Sequence, residues 1–240
     1  MAQPSPFTPA FFDFFRELSE NNEKDWFEAN RDRYEQDVLA PSKVFVLAFR
    51  PHLKEISPHF QAEAKVRGGS LFRIYTNRRF NRDRPPYKDH AGIQFRHAAG
   101  TDVHTPGFYL HLTPDDTVNP RGGDQRGCFV GMGIWRPDAA ALLAIREAIV
   151  EDPDAWMEST RNDAFTEHLE LGGESLKLGP NGFDRQHPLI DDIKRKDFIA
   201  SAPLTEEDVV TDGFVERFAA HCREGSSLVR WLCQALDVPF

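Results

Sequence analysis

Between Leu71 and Trp135 the apolar residues stop recurring at helical spacing and begin to alternate with polar ones. Such alternation marks a strand with one covered face, because successive side chains point to opposite sides. Four segments carry it: Leu71–Tyr75, Gly92–His97, Gly107–Thr113 and Gly127–Trp135. Gly68-Gly69, Gly100-Thr-Asp102 and Gly122-Gly-Asp124 are turn signals between them. No helical pattern separates the segments, so no crossover is available and neighbouring strands must run antiparallel. The expected fold is α+β, a central antiparallel sheet of about four strands flanked by N-terminal and C-terminal helical regions. The helical parts cover 7–57 and 137–240, the sheet 71–135, all in a single domain over 1–240, a length that one core can fill.

The flanks carry helix signals. Thr8 can cap the first helix, Pro9 suits its first position, and Phe7 can staple onto Phe12. Phe11, Phe15 and Leu18 then share one face. A second helix holds Trp26, Phe27, Tyr34 and Val38 and is expected to stop at Pro41. Ser42 caps a third with Phe45, Phe49, Leu53 and Ile56, which Pro51 should kink or divide. After Trp135 every segment reads as helix or loop, including a capping-box start at Thr205-Glu-Glu-Asp208. Twenty Phe make the core aromatic. Phe11, Phe15, Phe49, Phe72, Phe95 and Phe108 are expected to be buried.

Charge singles out one loop. Arg73 to Lys88 contains six basic residues and one acid, a local charge of +5 in a chain of net −9, which leaves −14 outside it. A basic loop in an acidic protein either grips an anion or is gripped by its own carboxylates. The acids of the first helices, Glu17, Glu20, Glu23, Asp25 and Glu28, are the internal partners to weigh against Arg79 and Lys88. Arg78-Arg79 and Arg82-Asp83-Arg84 offer forks for phosphate or carboxylate, and Pro85-Pro86 stiffens the loop over 76–90.

Alternation sorts the strands into an apolar face and a polar one. The polar face collects Arg73, Tyr75, Gln94, Arg96, Tyr109 and His111 beside Gly131 and Gly133, two mid-strand glycines that leave room for a ligand. Arg, Tyr and His around such a floor suit an anion. The candidate ligand-binding residues are therefore Arg73, Tyr75, Arg79, Arg84, Tyr87, Lys88, Arg96, Tyr109, Gly131 and Gly133. His111 and Asp83 are the proton-transfer candidates if the site is catalytic. The alternative at each position is a solvated face or an internal ion pair.

Other chemistries lack their signatures. His90, His97, His104 and His111 recur every seven residues, a spacing that inverts the face within one strand. No HExxH or Cys/His ligand spacing is present, and no metal is expected. Gly131-Met-Gly-Ile-Trp lacks the third glycine of a dinucleotide fingerprint, and no Walker sequence or GxSxG occurs, so no cofactor is implied. The longest apolar run, Val44–Phe49, is far below the ~20 residues that span a bilayer. The first residues lack a signal-peptide pattern, and three cysteines without a CxxC pair fit reduced thiols, so a cytoplasmic protein is expected.

The motifs resemble a known family. Phe72-Arg-Ile-Tyr, Arg79-Phe80 and Asp83-Arg84-Pro-Pro-Tyr87-Lys88 occur with Phe7-Thr-Pro, Asn21-Asn22, Trp26-Phe27 and Asn30-Arg31. Pro106-Gly-Phe-Tyr-Leu-His-Leu112, Gly131-Met-Gly-Ile-Trp135-Arg-Pro137, Pro180-Asn-Gly-Phe-Asp184 and His187-Pro188 follow in order. Together these resemble the bacterial and fungal conserved hypothetical proteins of domain of unknown function 2461. Asn77 stands where that pattern usually has Asp, and Arg84 where it has Lys. The resemblance implies identity without a reaction.

Three functional classes remain. The first is an anionic or phosphate-bearing small ligand held by the loop and the polar face. The second is nucleic acid, with backbone phosphates on the Arg loop and Phe80 or Tyr87 stacked on bases. The third is an acidic protein partner docked on the loop.

Overall fold

The computed structural model describes residues 2–79, 83–100, 104–115 and 127–240. Phe80, Arg82 and the turns at 101–102 and 122–124 therefore lie outside the described residues.

The chain opens with α1 (Pro9–Glu20), in which Pro9 occupies the first turn. Thr8 has extended cap geometry, but its side chain makes no capping hydrogen bond. The Phe7 ring meets Phe11 edge-on at 5.0 Å, so the expected staple closes onto Phe11. α2 (Lys24–Ala29) and α3 (Arg31–Arg33) lead into a π-helical turn (Tyr34–Leu39) and α4 (Ala40–Ile56). Pro41 does not stop the chain's helical course. Proline lacks an N–H, and in an α-turn its ring crowds the carbonyl four residues back. The preceding turn widens into π geometry, and Ser42 Oγ donates to the Val38 carbonyl at 2.7 Å. Pro51 likewise sits inside an unbroken α4. It is exposed, as is Leu47, whose carbonyl loses its usual donor, so water can serve that carbonyl.

The sheet is antiparallel throughout, with five strands in the order β1-β2-β3-β5-β4. These are β1 (Ala91–Arg96), β2 (Gly107–Leu112), β3 (Cys128–Ile134), β4 (Glu170–Gly172) and β5 (Phe198–Leu204). Two corrections follow. Leu71–Tyr75 is not a strand; it meets β1 at one isolated bridge, Leu71 to Ile93, and Tyr75 bridges to Tyr87 outside the sheet. The C-terminal half is not all helix, since β4 and β5 come from it and β5 pairs with β3 over Phe198–Leu204.

Helices α5 (Ala139–Glu151), α6 (Pro153–Arg161), α7 (Asp163–His168), α8 (Ile190–Ile193), α9 (Glu206–Val210), α10 (Phe214–Glu224) and α11 (Ser226–Ala235) complete the chain. The capping box at Thr205 and Asp208 is formed in both directions. One sheet face is covered by α4, α10 and α11, where the Phe49 ring lies 4.6 Å from Phe95 and 4.7 Å from Phe218. Gly225, between α10 and α11, lets Met132 approach, because a Cβ there would overlap the methionine sulfur. The buried side chains of the N-terminal helices, the sheet and the C-terminal helices form one hydrophobic cluster. Phe11, Phe15, Phe49, Phe95 and Phe108 are buried as expected. Phe72 is the exception: half-buried, its ring lies 5.9 Å from Tyr109 on the opposite sheet face.

Candidate functional site

Among the described residues, no helix is shown packed on that opposite face. The register lines up Gln94, Tyr109, Gly131 and Ser201 in one row, and Gly92, His111, Phe129 and Pro203 in the next. Gln94, Tyr109, His111, Phe129 and Ser201 are all half-buried. Alternation places them away from the helices, and glycines lower the surface between the rings.

The basic loop begins as a short hairpin stem. Lys88 N–H donates to the Ile74 carbonyl at 2.8 Å, and Thr76 N–H to the Pro86 carbonyl at 2.9 Å. Asn22 fixes the stem to the N-terminal helices. Its side chain accepts from Tyr87 N–H at 3.0 Å and donates to the Tyr87 carbonyl at 3.1 Å. Tyr87 is buried and stacks on Phe27 at 4.1 Å. Tyr75 is 45% exposed, packs on the Tyr87 ring, and bonds the Arg31 guanidinium. Tyr75 and Tyr87 thus anchor the loop, and burial pushes the Tyr87 hydroxyl pKa up.

The stem carries the cations outward. Arg73, Arg78, Arg79, Asp83 and Arg84 are exposed. Arg73 and Arg84 make no side-chain hydrogen bond or ion pair among the described residues. Two acids of the N-terminal helices are matched elsewhere: Glu17 pairs with Arg33 at 2.7 Å and Glu28 with Arg31 at 2.6 Å. Those guanidinium groups hold both carboxyls below the usual range. Lys88 stands 5.3 Å over the Phe72 ring at the margin of this sheet face. Arg96 turns away, donating to the carbonyls of Gly69 at 3.2 Å and Gly68 at 3.3 Å.

The two glycines differ. At Gly131 a Cβ would meet only ordinary contacts, 3.5 Å from Phe129 and 3.7 Å from Tyr109, so a methyl group fits between the two rings. Gly133 has φ +114°, and a Cβ there would overlap the Phe198 carbonyl oxygen of β5. Its lack of a side chain serves strand packing instead of a ligand.

The densest polar chemistry lies around His111. Tyr109 Oη and His111 Nδ1 share a hydrogen bond of 3.1 Å. The His111 ring stacks on Phe129 at 4.8 Å and 15° on one side, and lies 4.5 Å from His90 on another. His90 Nδ1 donates to Asp89 Oδ1 at 2.8 Å. That bond first, and the nearby His111 ring, hold the Asp89 carboxyl below its usual range. Thr113 Oγ1 donates to the Asp89 carbonyl at 3.2 Å, fixing the turn into β1. The result is a line of groups, Asp89, His90, His111 and Tyr109, along the end of the β1–β2 hairpin. Imidazole N–H and phenol O–H groups of this kind can donate to an anion.

Of the expected site residues, the contacts link Lys88, through Phe72, to Tyr109 and His111 above Gly131. No described contact joins Arg73, Arg79, Asp83 or Arg84 to His111. Asp89, His90, Phe72 and Phe129 escaped the sequence reading. The pairing of Gly92 with His111 brings His90 diagonally opposite His111 across two strands. His97, by contrast, is buried and bonds the Pro239 carbonyl at 2.7 Å, and His104 stacks on Trp135. Among the described residues, no group of three His, Cys, Asp or Glu side chains is arranged to hold a metal ion. A small cavity beneath Phe72, lined also by Tyr34, Val38, Ser42 and Gly92, is about 20 Å³, room for a single water.

The molecule is thus an α+β protein with one sheet face covered by helices and, among the described residues, no helix shown on the other, which lies beside a basic loop. The model of the conserved hypothetical protein family DUF2461 matches residues 10–231, and the chain belongs to that family. Neither the curated proteins nor the solved structures yielded a match. No helix among the described residues is long and apolar enough to cross a membrane.

Proposed function

We propose that this protein binds an anionic, phosphate-bearing small molecule on the sheet face that carries His111. The observation that carries the reading is the cluster itself: two imidazoles 4.5 Å apart, held by Asp89 and Tyr109. Imidazole N–H, tyrosine hydroxyl and the Lys88 ammonium are the donors an oxyanion needs. Arg79 and Arg84 act from the rim, attracting the anion at long range, where screening limits them. If the site is catalytic, His111 is the proton-transfer group. Asp83 is exposed on the loop, and no described contact joins it to His111. A reducing, cytoplasmic setting belongs to the same proposal, supported by three buried and unpaired cysteines.

The test is thermal unfolding with inorganic phosphate against chloride at equal ionic strength. Phosphate raises the melting temperature of the native protein by mass action on the folded state. The rise disappears in His111→Asn and shrinks, mainly at low salt, in Arg84→Ala. Equal stabilisation of all three proteins would reduce the effect to general salting and end the reading.

A second reading has its own support in the exposed Arg73, Arg78, Arg79 and Arg84. A basic prominence of this kind suits nucleic-acid phosphates or an acidic protein. Single-stranded oligonucleotide affinity falling steeply with salt, and lost in Arg84→Ala but not in His111→Asn, favours nucleic acid.

A further inference from the structure

We infer that Asn181 is a self-modification site: in the folded protein its side-chain amide closes onto the backbone nitrogen of Gly182, and the imide so formed opens to aspartate or isoaspartate. The inference is independent of the ligand reading above.

Asn181-Gly182 is the one Asn-Gly pair in the chain. It lies in the irregular segment between β4 and α8, within the Pro180-Asn-Gly-Phe-Asp184 motif that the proposed ligand site leaves unused. Ring closure needs the Gly182 nitrogen to reach Asn181 Cγ. A side chain on the following residue crowds that approach, and glycine has none. Both residues are exposed. Gly182 has φ +86°, and a Cβ there would have nothing within 4 Å, so that side of the glycine is clear. Among the described residues, neither the Gly182 N–H nor the Asn181 side chain makes a hydrogen bond. The turn is closed by Phe183 N–H donating to the Pro180 carbonyl at 3.4 Å, a long bond.

The other described asparagines set the contrast. Asn21, Asn30 and Asn162 each donate through Nδ2 to the carbonyl four residues back, at 2.9 Å. Asn22 clamps Tyr87 in both directions, and Asn77 Oδ1 accepts from Arg79 N–H at 3.2 Å. Each of the five is followed by a residue with a long or branched polar side chain. Two obstacles that Asn181 lacks therefore stand at every one of them: a held amide and a crowded neighbour.

In the reaction Gly182 N attacks Asn181 Cγ and gives its proton to solvent. The Cγ–Nδ2 bond breaks and ammonia leaves. The five-membered imide then takes up one water. Opening at Cγ gives aspartate, and opening at the main-chain carbonyl gives isoaspartate, whose backbone runs through the side chain. Nothing is oxidised or reduced. Either product adds one negative charge to a chain of net −9. Isoaspartate also lengthens the main chain by one methylene inside the turn, which disrupts the Phe183–Pro180 bond. Phe183 packs against the hydrophobic core, so this turn is where the lengthened segment meets the fold. Higher pH speeds closure, because the amide nitrogen attacks as it loses its proton.

The native protein is incubated in heavy-oxygen water at pH 6 and at pH 8, digested and read by peptide mass. The expected result is exchange of NH2 for OH, with heavy oxygen incorporated, in the peptide holding Asn181, faster at pH 8. It should run at least about tenfold faster than at Asn21, Asn22, Asn30 or Asn162, where a side-chain hydrogen bond must first break. Chromatography separates the isoaspartate and aspartate forms, with Asn181→Asp supplying the aspartate standard. Asn181→Gln, whose ring would be six-membered, keeps native circular dichroism and loses the conversion. Conversion that appears in urea but not in the native protein overturns the inference, since the fold then protects the site. Equal rates at Asn181 and at the held asparagines overturn it too, because local geometry then decides nothing. An acidic product that persists in Asn181→Gln comes from another residue and has the same consequence.

Discussion

Asp89 is the residue on which the geometry of the cluster most depends. Its carboxylate accepts the His90 proton, and its carbonyl accepts from Thr113, so side chain and backbone fix the same turn. Because the folded-state pKa is lowered, the carboxylate's contribution is present above the unfolded value and is lost as pH falls through the folded one. Asp89→Asn should cost up to about 1.5–3 kcal/mol at neutral pH, the range for a hydrogen bond to a charged group. The gap from the native protein should close only as pH falls through the lowered pKa of the folded carboxyl, below the usual carboxylate range. Urea unfolding at pH 7 and at successively lower pH follows both proteins. Gly133 makes a separate prediction at this scale. Its positive φ and the Phe198 carbonyl leave no space for Cβ, so Gly133→Ala should lower stability by ~2 kcal/mol or more. A neutral result in the same unfolding assay would contradict the assigned backbone.

Among the elements, the loop stem and the π-turn each replace what the sequence pattern led one to expect. Leu71–Tyr75 alternates as a strand should, yet Asn22 draws the following chain onto α2 instead of along β1. No periodicity reports a side-chain clamp from a residue 65 positions away in sequence. Asn22→Ala would leave the buried Tyr87 amide and carbonyl without these partners, at a cost of about 1–3 kcal/mol each if unsatisfied. Proteolysis within 77–84 and exchange of the Lys88 amide should accelerate before global unfolding. Unchanged rates would show that Phe27 stacking alone secures the stem. At the π-turn, Pro41 was a sound stop signal for an α-helix, but a wider turn can absorb a missing N–H. Pro51 shows the other route, with its unpaired carbonyl on the solvent side.

At the scale of the molecule, the sequence made the covered sheet face and the aromatic core legible because burial writes itself as alternation. Phe95, Phe108, Val130 and Met132 were readable for that reason. β5 was not, since Phe198-Ile-Ala-Ser-Ala-Pro-Leu is short, rich in alanine and interrupted by Pro203. Proline is tolerated there because β4 pairs only with Ile199–Ser201, leaving that edge of β5 open at Pro203. The candidate site was half legible. Tyr109, His111 and Gly131 followed from strand parity. His90 and Asp89 did not, because they join the cluster across a hairpin whose register the sequence does not state. Charge concentration found the loop, but the described arginines of the loop are exposed, and no described contact joins them to the histidines.

The central claim is that anions bind at the histidine pair on the sheet and not on the arginine loop. Its most direct measurement is a phosphate titration followed by amide and histidine ring resonances at constant ionic strength. The account predicts saturable shifts concentrated at His90, His111, Tyr109, Gly92 and Gly131, with smaller changes at Lys88 and Phe72. Shifts confined to Arg78, Arg79 and Arg84, with the His90 and His111 rings unmoved to saturation, would contradict it.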